Sequence, residues 1–209
     1  MIRFSVFFLA LCLALNACGE KDGKRFRKIP TTSSGISFKN ELKDTPQLNI
    51  LTYLYYYNGA GVAAADFNND GLVDLYFTSN QGEDKLYLNK GNLKFEDITV
   101  TANIVNKDNW TTGVTHVDIN NDGLLDIYVC KVGNYLDIRG KNLLFINQGI
   151  NSDGIPTFKE EAAKYDLDFS GFSTQAAFFD YDLDGDLDMY LMNHSVHPNR
   201  NNGKGSLRM

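Results

Sequence analysis
Three stretches of the chain carry oxygen-bearing side chains at a spacing that suits one hard cation each. In the first, Asp66, Asn68 and Asp70 stand at positions 1, 3 and 5, Gly71 makes the turn at 6, Leu72 offers its carbonyl at 7, and Asp74 closes at 9. The second places Asp118, Asn120, Asp122, the Leu124 carbonyl and Asp126 in the same order, and the third Asp180, Asp182, Asp184, the Asp186 carbonyl and Asp188. Alternate residues of a tight loop point inward. Each stretch therefore offers five or six oxygens, with water completing the six to eight that Ca²⁺ takes at about 2.3–2.6 Å. Oxygen ligands without His or Cys exclude zinc and copper, and a flexible set favours Ca²⁺ over Mg²⁺, so up to three Ca²⁺ ions are expected.

Two rival readings of these stretches are weaker. An EF-hand needs a bidentate Glu at position 12, where Phe77, Val129 and Leu191 stand, and it needs flanking helices where this chain has strand-like runs. Plain Asp-Gly hairpin turns explain one copy, but not three copies with acids at the same positions 1, 5 and 9. The expected side-chain ligands include ten of the 26 acidic residues, a large share of the negative charge in a chain of formal charge −6. Without a cation these carboxylates repel one another, and each loop is expected to be less stable when stripped.

The elements that position the loops repeat with them. GVAAADFNNDGLVDLYF from Gly61, GVTHVDINNDGLLDIYV from Gly113 and QAAFFDYDLDGDLDMYL from Gln175 align, their first acids 52 and 62 residues apart. LYLNKGNLKFEDIT and LLFINQGINSDGIPTFKEEA follow the first two copies, each an apolar stretch, an Asn-x-Gly turn and a further strand, with the second copy's extra length assigned to loops. VDLYF, LDIYV and LDMYL are apolar on both faces beyond the Asp, as strands covered on two sides must be. Four-stranded units of about 50 residues fit β-propeller blades better than a sandwich or solenoid. The expected fold is all-β, an incomplete propeller of two full four-stranded blades plus part of a third.

Composition agrees. Among 209 residues, 20 Asp, 6 Glu and 22 Asn make a turn-rich chain and argue against a helical bundle, because short Asp and Asn side chains compete with helical hydrogen bonds. With 43% hydrophobic residues the chain is too apolar to be disordered, and with 20 basic residues too weakly basic to bind nucleic acid. Residues 1–17 read as an export signal: Arg3, then an apolar run from Phe4 to Leu15 too short to span a bilayer. The run ends in Leu15-Asn16-Ala17-Cys18, which resembles a bacterial lipobox and implies lipidation of Cys18, hence a membrane anchor and an envelope lipoprotein at the outer membrane or cell surface. An ordinary secretory signal is the rival. Residues 18–35 read as a flexible, solvated basic tether and 36–209 as the partial propeller. Cys12 leaves with the signal and Cys130 lies in an apolar run as a small core residue, so no disulfide staples the chain.

Catalytic groups are sparse. His116 takes the repeat position of Ala64 and Ala177 and is expected to face a neighbouring blade, and His194 and His197 offer only a His-x-x-His spacing. No GxSxG, HExxH, phosphate loop or catalytic Cys signature occurs. A carbohydrate-active propeller with an acid/base carboxylate pair is the alternative to a pure binding role. The string YLYYYN from Tyr53 reads first as packing, with sugar stacking as the second reading. Two glycosylation-type triplets, Asn109-Trp110-Thr111 and Asn193-His194-Ser195, are idle if the lipobox reading holds.

The loops, with GVAAADFNNDG and LYLNKGNLKFEDIT, resemble the FG-GAP/VCBS repeats of integrin alpha-chain propellers, and most closely those of exported bacterial proteins that join such repeats to an ASPIC/UnbV region. The resemblance covers about Gly35 to His197. It implies a calcium-bearing propeller of about seven blades used for extracellular interaction. This chain has no ASPIC/UnbV region and its third repeat stops after YLMNHSVHPN, so an amino-terminal fragment is expected, with further blades or a partner strand covering the open edge. The expected partner is an extracellular protein or glycan ligand that the sequence does not identify.

Overall fold
A computed structural model describes residues 26–106 and 110–195; the expected export signal, Cys18, His197 and Asn109 lie outside them. The chain divides into two units at Pro30/Thr31. Of the first unit, residues 26–30 are described and are exposed without regular structure. The second opens with a single helical turn, α1 (Thr31–Ser34), whose Ser34 is buried.

Alternating apolar residues bounded by Asp, Asn and Gly turns give short antiparallel strands. The first sheet runs β1 (Val62–Ala65), β2 (Asp74–Phe77), β3 (Lys85–Asn89) and β4 (Phe95–Asp97), in that spatial order. The second repeats the meander with β5 (Thr111–Val117) and β6 (Asp126–Lys131), followed by β9 (Leu143–Ile150) and β10 (Pro156–Glu160). Between β6 and β9 stands a separate hairpin, β7 (Gly133–Tyr135) and β8 (Ile138–Arg139). A 3-10 turn (Ala162–Tyr165) then leads to the hairpin of β11 (Ser173–Phe179) and β12 (Asp188–Asn193). These are two four-stranded antiparallel blades and the first half of a third, with almost no helix, as the repeats predict. The extra length of the second repeat is not all loop, because β7 and β8 pair within it.

Registers repeat as the sequences do. Ala65 pairs with Asp74, Val117 with Asp126, and Phe179 with Asp188, so each nine-residue loop closes a hairpin between the first and second strands of its blade. One apolar core joins the first two blades, with Phe67, Tyr76, Leu86, Ile104, Ile127 and Val129 fully or almost fully buried. A second joins the second blade to the third hairpin through Tyr128, Cys130, Leu144 and Ala176. β6, packed on both sides, is buried along its whole length, whereas β12 has an open outer face and alternates between exposed and half-buried. Burying a Tyr or Leu in such a core contributes about 1.5–3 kcal/mol, so the middle blade carries the largest share of the packing.

A third, aromatic core gathers Tyr53, Tyr56, Trp110, Val132 and Ile138. The Tyr-rich string thus packs in part, as expected, while Tyr57 stays 60% exposed. His116 departs from expectation: it is exposed on β5, as are Ala64 on β1 and Ala177 on β11. The strand pleat turns this repeat position away from the neighbouring sheets, so the expected inter-blade contact does not form.

Candidate metal centre
The three loops share one hydrogen-bond pattern, set by the residue types at fixed positions. The Asp at position 1 receives two backbone N–H groups: Asp66 accepts from Asp70 (3.1 Å) and Gly71 (2.7 Å). Asp118 accepts from Asp122 and Gly123 at 3.0 and 2.9 Å, and Asp180 from Asp184 and Gly185 at 3.2 and 3.1 Å. The Asp at position 5 closes a smaller turn onto position 7, with Leu72 N–H donating to Asp70, Leu124 to Asp122 and Asp186 to Asp184. The chain bends this sharply because Gly71, Gly123 and Gly185 take φ of 86°, 84° and 97°, where an L side chain is strained. Position 4 is also left-handed, an easy conformation for Asn69 and Asn121 and a costly one for Leu183 at φ 63°.

Position 9 is anchored from two sides. Asp74 Oδ2 accepts the Phe67 N–H at 3.0 Å and its Oδ1 the Asn89 N–H at 2.8 Å; Asp126 does the same with Ile119 and Asn147. In the third loop Asp188 accepts from Tyr181 at 2.9 Å. Burial is the main force raising the Asp74 carboxyl to about 6, with Asp70 and Asp66 adding repulsion and the two N–H groups opposing the rise. Asp126 is raised by the same causes. In the exposed third loop, Asp184 is lowered first by the Asp186 N–H, and Asp186 is raised by its hydrogen bond to Asp184.

Position 3 differs between loops. Asn68 and Asn120 donate their amides to Asp70 and Asp122 at 3.0 and 2.9 Å, whereas the third loop has a carboxylate there. Asp180, Asp182 and Asp188 each bring an oxygen into one group whose atoms lie within 4.8 Å of one another. Each carboxylate oxygen that accepts one N–H keeps a further lone pair, and an all-oxygen set of this kind suits a hard divalent cation. Leu72 and Leu124 lie in the bends that follow Gly71 and Gly123.

Two residues beyond the expected set hold the loops in place. Asn89 and Asn147, each on the third strand of its blade, fix the position-9 Asp through the backbone N–H, tie back to Val73 and Leu125 through Nδ2, and accept from Gly91 and Gly149. Their signal in the sequence is the repeated Asn-x-Gly, which reads as a turn alone. Asn147 also donates to the Phe67 carbonyl at 2.9 Å, joining the second blade to the first loop.

Residues 66–129, from the first Asp of loop one to the middle of β6, match the FG-GAP-like repeat family. The chain is also similar to cartilage acidic protein 1 of Xenopus tropicalis, at 31% identity over 140 residues, covering 65% of this chain and 21% of that protein. It is 30% identical over 137 residues to the Homo sapiens protein of the same name, with 64% of this chain and 20% of that protein covered. The chain thus spans about a fifth of the length of the curated relatives it matches.

Proposed function
We propose that this chain is a calcium-stabilised, exported β-propeller segment that serves as a non-catalytic extracellular binding or adhesion platform. The observation that carries the reading is the repetition of one loop geometry in three hairpins, with the carboxylates of Asp180, Asp182 and Asp188 converging in the third. The FG-GAP-like match over 66–129 supports the propeller assignment. Asp66, Asn68, Asp70, Leu72 and Asp74, with their counterparts in the other two loops, would hold the ions. The ions supply the positive charge that lets clustered carboxylates sit in one turn.

The reading places residues 1–17 as a lipoprotein signal, Cys18 as the lipidated anchor, 18–35 as a tether and 36–209 as the propeller region. Among the described residues no helix is long and apolar enough to cross a membrane. The outer face of β12 exposes Tyr190 and Met192, at positions where the first two blades bury Tyr76, Tyr128 and Cys130 under the next blade. That face would receive a further blade-like hairpin. A catalytic role is less well supported, since the loop acids are tied to backbone N–H groups of their own turns rather than set across a cleft as an acid/base pair.

Titration calorimetry of the chelator-stripped chain with CaCl₂ tests the reading. It predicts up to three sites per chain, with the Asp180→Asn variant losing one. A stripped chain that takes up no calcium would refute it.

A further inference from the structure
We propose that a cleft at the strand ends remote from the metal loops binds a neutral pyranose ring. The cleft has a volume of about 400 Å³, within the range of about 300–1,000 Å³ common for small-molecule sites. It lies where β1, β5 and β11 begin, at Gly61, Thr112 to Val114 and Thr174 to Gln175, and the loops lie where these strands end. The inference rests on the reading of the chain as a binding module and adds a ligand class to it.

The walls are aromatic and fixed. Tyr55 stacks on His194 with centroids 3.9 Å apart, and Tyr53 meets Trp110 edge-on at 5.3 Å. Tyr53 Oη lies 2.8 Å from His194 Nε2, and His194 Nδ1 lies 3.2 Å from the Ser195 carbonyl. The imidazole thus donates from Nδ1 and accepts the tyrosine proton at Nε2. Burial lowers its pKa, which keeps the ring neutral. Gly113 lets β5 pack closely on β11 at the floor of the cleft, since a Cβ there would clash with Gln175 Oε1 and the Thr174 carbonyl.

The polar groups of the described lining are Asn58, Gln175, the threonines and His194, with no Asp, Glu, Lys or Arg among the described lining residues. A charged ligand would lose water and gain no counter-charge from the described lining. Gln175 Nε2 donates to the Val114 carbonyl at 3.3 Å, and a purely apolar ligand would cover its Oε1 and the Asn58 amide without offering them partners. A pyranose resolves both: one C–H face lies against the half-buried Tyr55–His194 pair, with the buried Tyr53 and Trp110 behind it, and its rim of hydroxyls exchanges hydrogen bonds with the Asn58 amide and Gln175 Oε1. The rings are already held in place, so little side-chain ordering opposes binding.

The test is saturation-transfer NMR on the calcium-loaded chain with methyl β-D-glucopyranoside, methyl β-D-galactopyranoside and methyl N-acetyl-β-D-glucosaminide, with glucuronate and glucosamine as charged comparators. Transfer to the ring C–H protons of at least one neutral glycoside is expected, weakened about tenfold or more by Tyr55→Ala, with a smaller loss for the exposed Asn58→Ala. Tighter binding of cellotriose than of the single glycoside would mark the end of a glycan as the ligand, and equal binding a free sugar. No transfer to any neutral glycoside, equal transfer to the charged comparators, or binding unaltered in both variants would overturn the proposal. A chain that binds calcium and no sugar loses this inference and keeps the calcium reading.

Discussion

Asn147 Nδ2 donates to the Phe67 carbonyl at 2.9 Å, so the first Asp-rich loop is held in part by the third strand of the following blade. Replacing this buried residue by Ala strips the Phe67 carbonyl, the Leu125 carbonyl and the Gly149 N–H of a partner each. Asn147→Ala is expected to lower stability by about 1–3 kcal/mol in urea unfolding. It should also weaken calcium binding at the first two loops while leaving the third unaltered.

The buried Asp84 gives the chain a pH dependence of its own. Its carboxylate accepts from Ser79 N–H at 2.7 Å, Tyr76 hydroxyl at 3.2 Å and Asn106 Nδ2, and Asn106 in turn accepts from Lys131 at 2.6 Å. Burial dominates and raises the carboxyl to about 6, against the lowering effects of Ser79, Asn106 and Lys131. The folded state then binds the proton more readily than the unfolded chain. Stability is greater below pH ~4 and is lost as pH rises towards ~6, by about 2–3 kcal/mol from this group. Asn142 occupies the same place in the second blade, accepting from Lys131 N–H and donating to Tyr128. Urea unfolding between pH 4 and 7 should therefore show a shallower pH slope for Asp84→Asn than for the wild type, and identical slopes would contradict the assignment.

Equivalent tyrosines should respond unequally. Tyr128 is fully buried between the second blade and the third hairpin, and its hydroxyl donates to the Leu167 carbonyl. Tyr190 takes the corresponding place on β12 and is 64% exposed. Tyr128→Ala should destabilise this chain by about 3–5 kcal/mol and Tyr190→Ala by less than about 1, measured by thermal or urea unfolding.

Cys130 is buried in the second core, and burial pushes its thiol up to about 12. It should resist Ellman's reagent at pH 8 in the folded chain and react fully in denaturant. Rapid labelling in the native state would contradict the packing.

The sequence makes the repeated parts legible. Three Asp-x-Asn/Asp-x-Asp-Gly-x-x-Asp stretches locate three hairpins, and the apolar runs around them give the strand order, because both depend on short-range spacing that a backbone turn obeys. Contacts between repeats are less legible. Asn147 and Phe67 lie 80 residues apart, and Tyr53 and His194 141 apart. Neither pairing has a spacing to announce it. His116 shows the same limit, since its repeat position is plain while its exposure follows from how neighbouring sheets pack. β7 and β8 form where an insertion has enough length to pair with itself.

The central claim is that calcium in these loops stabilises the fold, and a thermal melt of the chain with CaCl₂ and with excess EGTA tests it most directly. Three filled sites should raise Tm by at least ~5 °C over the chelated chain, and Asp66→Asn combined with Asp118→Asn and Asp180→Asn should abolish the difference. Coincident melts of the wild-type chain in calcium and in chelator would contradict the account.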